Sequence, residues 1–158
     1  AALRFLGVKS GAEALGRDLY RIIDYKTGSP APYEDLVEFG RGRTLQPALY
    51  AVCLEQVLAR ERPGTAPRVA ASGYLFPSRR GEGHEIMLRS FDRDRLRRLL
   101  TDLLGLIEKG LFIAGPEAKC EFCDYSGVCA SGGSARAGRK REANPDIFEA
   151  YDRLDEYK

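Results

Sequence analysis

The sequence is short of histidine, of long apolar runs and of net charge, and each shortage removes a class of function. His84 is the single histidine. No Ser-His-Asp arrangement can be argued from it, and a neutral, partly exposed side chain near a basic turn is expected. No stretch approaches the roughly 18 apolar residues that a membrane-spanning helix requires. The N-terminus lacks the basic start and apolar stretch of a signal peptide. Together these predict a cytoplasmic chain with no membrane partner. There is no G-x-x-x-x-G-K-[ST] loop, so the chain has no ATP site of its own. An initiator methionine is also lacking. The chain begins inside apolar sequence, Ala1-Ala2-Leu3-Arg4-Phe5-Leu6, which predicts a piece of a longer protein. Lys plus Arg is 25 against 23 for Asp plus Glu, a net +2. That is far from the strongly basic balance that announces nucleic-acid binding. The positive residues are uneven, however. They gather at Arg41 and Arg43, at Arg79 and Arg80, from Arg93 to Arg98, and from Arg136 to Arg141. Solvated faces and tails are one reading and a local basic groove is the other.

What is present is enough for a core. A chain of 158 residues suits one ordinary domain, and such a domain buries about two-thirds of its unfolded surface. Apolar residues at 44% and charged residues at 30% indicate a globular chain. The pattern predicts a strand over 3–8, a polar connection over 9–18 and a second strand over 19–26, joined as a hairpin. A loop over 31–42 precedes a helix that Thr44 caps and that runs to about Arg60. Leu45, Leu49, Val52, Cys53 and Val57 form its apolar stripe. Strands over 69–76 and 84–91 follow, around a Gly-rich basic turn. Asp92 caps the clearest helix, with Leu96, Leu99, Leu100, Leu103, Leu104, Ile107 and Leu111 at i, i+3, i+4 spacing. Residues 131–143 read as flexible, and 145–157 as a short terminal helix with Ile147, Phe148, Tyr151 and Leu154 inward. The order of elements predicts a mixed α/β arrangement, a mixed sheet flanked by helices.

Three segments carry chemistry. In Ile22-Ile23-Asp24-Tyr25-Lys26-Thr27-Gly28 the alternation of a strand puts Asp24 and Lys26 on one face. A carboxylate and an ammonium at the end of an apolar strand are costly unless they pair or hold a ligand. Asp24 suits a hard cation such as Mg2+. Lys26 could orient or deprotonate a water and stabilise charge growing on a phosphate. A surface ion pair is the plainer reading. Gln46 and Tyr50, four apart, stack on one helix face. Cys120, Cys123 and Cys129 fall within ten residues. The chain is too long and too poor in cysteine for a secreted disulfide domain, so a metal or an iron–sulfur cluster is expected there.

Taken in order, these segments resemble the RecB-like and AddB-like branch of the PD-(D/E)XK nucleases. In that family a strand ending D-Y-K-T-G is followed by a Q-x-x-x-Y helix and then by a C-x-x-C-x5-C run. The resemblance implies a restriction-endonuclease-like core over residues 1–130, with a cysteine-bearing C-terminal strap. Residues 131–158 would form a flexible basic linker and a short helix. It further implies Mg2+- or Mn2+-dependent hydrolysis of DNA phosphodiesters, in double-strand break repair and recombination, with a helicase domain or subunit as partner. Asp24 would be a metal ligand, the Tyr25 carbonyl another, and Lys26 the catalytic lysine. Gln46 and Tyr50 would contact DNA and support the site. Cys120, Cys123 and Cys129 would be three of four ligands of a [4Fe–4S] cluster.

Two departures accompany the resemblance. The family carries G-x-x-D in the strand before D-Y-K, and its Asp is the other principal metal ligand. Here the same register reads Gly7-Val8-Lys9-Ser10, so a neutral hydroxyl stands where a carboxylate is expected. Glu13 is the nearest carboxylate, and its use needs a shifted register. The first cluster cysteine of the family lies upstream of the nuclease strands, leaving the cluster incomplete here. Cys53 is read as a small core residue. Two other classes therefore stand beside the enzyme: a degenerate nuclease fold that binds DNA without cutting, and a zinc-binding module built on the cysteines.

Overall fold

The computed structural model describes residues 10–16, 18–34, 38–112, 123–124, 128 and 133–157. They fall into two compact units, one formed by the described residues up to Leu96 together with Tyr157 and the other by those from Arg97 to Glu156. The first unit holds a four-stranded sheet in the order β1-β2-β3-β4. Its strands are β1 (Ser10–Gly16), β2 (Leu19–Tyr25), β3 (Arg68–Phe76) and β4 (His84–Leu88). β1 runs antiparallel to β2, β2 parallel to β3, and β3 antiparallel to β4. The sheet is therefore mixed, as expected of a restriction-endonuclease-like core.

The first hairpin differs from the sequence reading. The strand expected over 3–8 lies outside the described residues, and the stretch read as a connection is itself β1. Ser10–Gly16 is poor in β-branched and aromatic residues, so propensity hides it. The ladder with β2 decides its conformation. Gly16 pairs with Leu19, and Asp18 takes a left-handed φ of 61° in the tight turn between them, a conformation that a short polar side chain tolerates.

Parallel strands need a crossover, and here it contains α1 (Gln46–Glu61). Two single 3-10 turns, Ala31–Tyr33 and Gly40–Gly42, precede it. Leu45 occupies the N-cap without a side-chain bond, and Pro47 sits in the first turn, where its missing N–H costs little. The expected Thr44 cap is therefore one residue early. The buried face is Pro47, Ala48, Ala51, Leu54 and Leu58, and Cys53 is exposed. This corrects the core assignment of Cys53. Small Ala48 and Ala51 mark the helix face that meets the sheet, and Cys53, about 100° round from Leu54, falls off it. Leu54 and Leu58 pack with Tyr20 and Ile22 in one buried cluster, each worth about 1.5–3 kcal/mol. Gly73 on β3 has the Ile86 carbonyl and the Met87 backbone where a Cβ would stand, so β4 lies close over it.

Asp92 does cap the next helix, α2 (Arg93–Glu108): the N–H groups of Asp94 and Arg95 donate to its Oδ1 at 2.9 and 3.0 Å. Leu96 and Leu99 are buried, but Leu104 and Ile107 are exposed. In the second unit, α3 (Gly133–Ala143) is a helix, where the Gly-, Ser- and Arg-rich composition suggested a flexible linker. It follows directly into α4 (Pro145–Arg153), which begins after Asn144. The Arg153 guanidinium donates to Asp102 Oδ1 at 2.7 Å and to Glu149 Oε1 at 2.9 Å. Phe148 is buried.

Candidate functional site

β2 and β3 end together at one edge of the sheet. Asp24 pairs in register with Tyr74, and Tyr25 with Leu75. The Lys26 N–H then donates to the Leu75 carbonyl at 2.9 Å. This continued ladder fixes where the Lys26 side chain starts. Strand alternation puts Asp24 on the face of Tyr20 and Ile22, the face that α1 covers. Asp24 is only 5% exposed. Lys26 Nζ stands 2.8 Å from Asp24 Oδ2. The buried Oδ2 has this ammonium beside it and no other polar partner among the described residues.

The ammonium also lies 5.0 Å from the ring centre of Tyr74 and 6.0 Å from that of Tyr33, within cation–π range. The two rings are 4.8 Å apart, and Tyr33 also leans on the buried Phe76 at 5.5 Å. Tyr74 reaches further. Its hydroxyl donates to Gln46 Oε1 at 3.4 Å, and Gln46 Nε2 donates to the Tyr50 hydroxyl at 2.7 Å. Burial, and then the Asp24 charge, push the Tyr74 phenol up from 10.0 to about 12. It is therefore a neutral donor throughout the ordinary pH range.

Asp24, Lys26, Gln46 and Tyr50, picked out as pairs in the sequence, are thus brought into one connected group. Tyr33 and Tyr74 were missed. Neither belongs to a sequence motif, and only the parallel register puts Tyr74 beside Asp24. Alternation through Ser72, Tyr74 and Phe76 was the available signal.

The other named residues stand differently. Ser10 pairs directly with Asp24 across the β1–β2 ladder, whereas Glu13 pairs with Arg21, three positions away. Tyr25 is 40% exposed. Cys123 is exposed, and Cys120 and Cys129 lie outside the described residues. Among the described residues no three His, Cys, Asp or Glu side chains converge to hold a metal. Asp24 Oδ2, partnered only by the Lys26 ammonium, is a hard oxygen donor of the kind Mg2+ or Mn2+ takes, so the site fits such an ion through one carboxylate once Lys26 moves off that oxygen. No helix among the described residues is long and apolar enough to cross a membrane.

The family model of the PD-(D/E)XK nuclease superfamily matches residues 14–130. Neither a curated protein nor a solved structure gives a match.

Proposed function

We propose, from the premise that the chain belongs to the PD-(D/E)XK nuclease superfamily, that Asp24 and Lys26 form the hydrolytic centre of a DNA nuclease domain of RecB/AddB-like type. The observation that carries this reading is the buried Asp24 carboxylate whose Oδ2 lies 2.8 Å from Lys26 Nζ and has no other polar partner among the described residues.

Asp24 would hold Mg2+ or Mn2+ through Oδ2, with the Tyr25 carbonyl beside it, and the bound ion supplies Lewis acidity and a more acidic water. Lys26 has two tasks. Its ammonium orients the attacking water, and it stabilises the negative charge that grows on the phosphate. Water oxygen bonds to phosphorus, and the leaving oxygen of the strand departs with a proton. Tyr33 and Tyr74 limit where Nζ can go, which lowers the entropy cost of placing it. Gln46, which accepts from Tyr74 and donates to Tyr50, supports the site with Tyr50, and both contact the DNA. The finer assignment rests on the order of D-Y-K-T-G, Q-x-x-x-Y and the cysteine run. With it come a [4Fe–4S] cluster ligated by Cys120, Cys123 and Cys129, a helicase partner, DNA ends as substrate in double-strand break repair, and a cytoplasmic location.

A second reading is favoured by one observation. Ser10, not a carboxylate, pairs with Asp24, and Lys26 already neutralises Asp24 without metal. On this reading the domain binds DNA and cuts it poorly or not at all.

Cleavage and binding separate the two. With Mg2+ or Mn2+ and a labelled DNA end, Asp24→Ala and Lys26→Ala should each abolish cutting and leave binding largely intact. Near wild-type cutting by either variant sinks the assignment. Binding without any cutting by the unaltered chain selects the second reading.

A further inference from the structure

We infer that the β3–β4 turn, through Arg79 and Arg80, is a grip for the phosphate backbone of a DNA strand lying over the Asp24–Lys26 edge of the sheet. The inference builds on the functional reading above, because it supplies that centre with its substrate contact.

Placement comes first. β3 ends at Phe76, one residue beyond the Tyr25–Leu75 pair. Arg79 and Arg80 follow three and four residues later. Four residues of chain reach at most about 14 Å, so both guanidinium groups start from the sheet edge that carries Lys26. The far edge differs: α1 runs from Gln46, bonded to Tyr74, down to Leu58, packed with Tyr20. Its exposed Arg60 therefore sits at the other end of the sheet.

Rigidity comes second. The Gly81 and Glu82 N–H groups donate to the Ser78 carbonyl at 2.9 and 2.8 Å. Gly81 N–H also reaches Ser78 Oγ at 3.2 Å. Gly83 N–H donates to Phe76 O at 2.9 Å, and His84 N–H to Gly81 O at 2.8 Å. Gly81 is pressed against Phe76, where a Cβ would collide with that side chain and its carbonyl. Glu82 and Gly83 take φ of 51° and 74°. A turn so stapled fixes where the Arg79 and Arg80 side chains begin.

Charge comes third. Arg79 and Arg80 are exposed. Three other arginines of the unit are tied down: Arg21 to Glu85, Arg93 to Glu55, Arg95 to Glu38. Neither Arg79 nor Arg80 has an ion pair or side-chain hydrogen bond among the described residues. Glu85, the carboxylate on the adjoining strand, is taken up by Arg21. Glu82 offsets one of the two charges in part. Two free guanidinium forks beside a phosphodiester-cutting centre suit phosphate oxygens in bidentate fashion.

Metal-free binding of a fluorescein-labelled single-stranded oligonucleotide tests this by anisotropy over a salt series. Arg79→Ala/Arg80→Ala should bind about tenfold more weakly near 0.1 M salt, with the slope of log K against log salt reduced by about 1.4. Arg79→Lys/Arg80→Lys should recover most of the slope. Arg60→Ala should change neither by much. An unchanged slope in the double alanine variant overturns the proposal. So does an equal loss in Arg60→Ala, which would reduce the effect to net charge, or no binding by the unaltered chain. Cleavage assays report separately on Asp24 and Lys26. A binding result that contradicts the turn leaves the hydrolytic reading standing, and loss of that reading leaves the binding result intact.

Discussion

Ser10 and Asp24 pair directly across the β1–β2 ladder. In an antiparallel pair, residues opposite each other have Cβ atoms about 4.5–5.5 Å apart. A carboxylate at position 10 would be well placed to share a cation with Asp24. Glu13, opposite Arg21, lies an odd number of positions from that register. With Ser10 in place the site offers one carboxylate, and Lys26 is its counter-charge.

That counter-charge is structural as well as chemical. Lys26→Met should destabilise the metal-free chain by about 1–3 kcal/mol, because the buried Asp24 carboxylate loses its partner. Asp24→Asn/Lys26→Met should recover most of the loss, since no charge then remains to satisfy. Denaturant unfolding of the two single variants and the double variant measures the coupling. Simple additivity would show that the pair does not matter to the fold.

Tyr74 predicts a pH dependence in alkali. Its folded-state pKa is raised from 10.0 to about 12, so the folded chain keeps the proton that the unfolded chain gives up. The resulting stability is fully present below pH 10 and is lost as pH rises toward 12. Tyr74→Phe should flatten the fall in melting temperature over that window. It keeps the ring over Lys26 and removes only the bond to Gln46. An unchanged alkaline profile would show that Tyr74 is not the group responsible.

Gly73→Ala should lower stability by about 1–3 kcal/mol, because the new Cβ meets the Ile86 carbonyl and Met87. Thermal unfolding checks this. The neighbouring Tyr74 would shift with β3, so the variant should also weaken the Gln46 contact.

The cysteine run predicts an iron phenotype. With three of the four expected ligands present, the unaltered chain should hold iron only weakly after anaerobic reconstitution with iron and sulfide, and Cys123→Ser should hold less still and lose any visible charge-transfer absorption. Zinc retained in a colourless unaltered chain would favour the zinc-module reading instead.

The sequence exposed the centre of this site better than its frame. Asp24 and Lys26 were readable because strand alternation is a short-range rule, and Gln46 and Tyr50 because helix spacing is another. Ser10–Gly16 was not readable as a strand, since pairing with β2 outweighs its weak propensity. The α1 stripe was misplaced because Ala48 and Ala51, not the larger Val52 and Val57, face the sheet. Tyr33 and Tyr74 reach Lys26 only through long-range packing and a parallel register, which no local pattern encodes. The compact helix of Gly133–Ala143 contradicted its Gly- and Ser-rich composition. An ion pair from Arg141 to Asp152 ties this helix to α4, a contact that composition does not reveal.

The most direct test of the account is calorimetric titration of Mn2+ into the unaltered chain, Ser10→Asp and Glu13→Ala. Restoring a carboxylate opposite Asp24 should tighten Mn2+ binding by about tenfold or more, because a second anionic oxygen joins the first. Glu13→Ala should leave the affinity unchanged. Unchanged affinity in Ser10→Asp, together with loss of binding in Glu13→Ala, would contradict the Ser10–Asp24 register as the metal site and assign that role to Glu13.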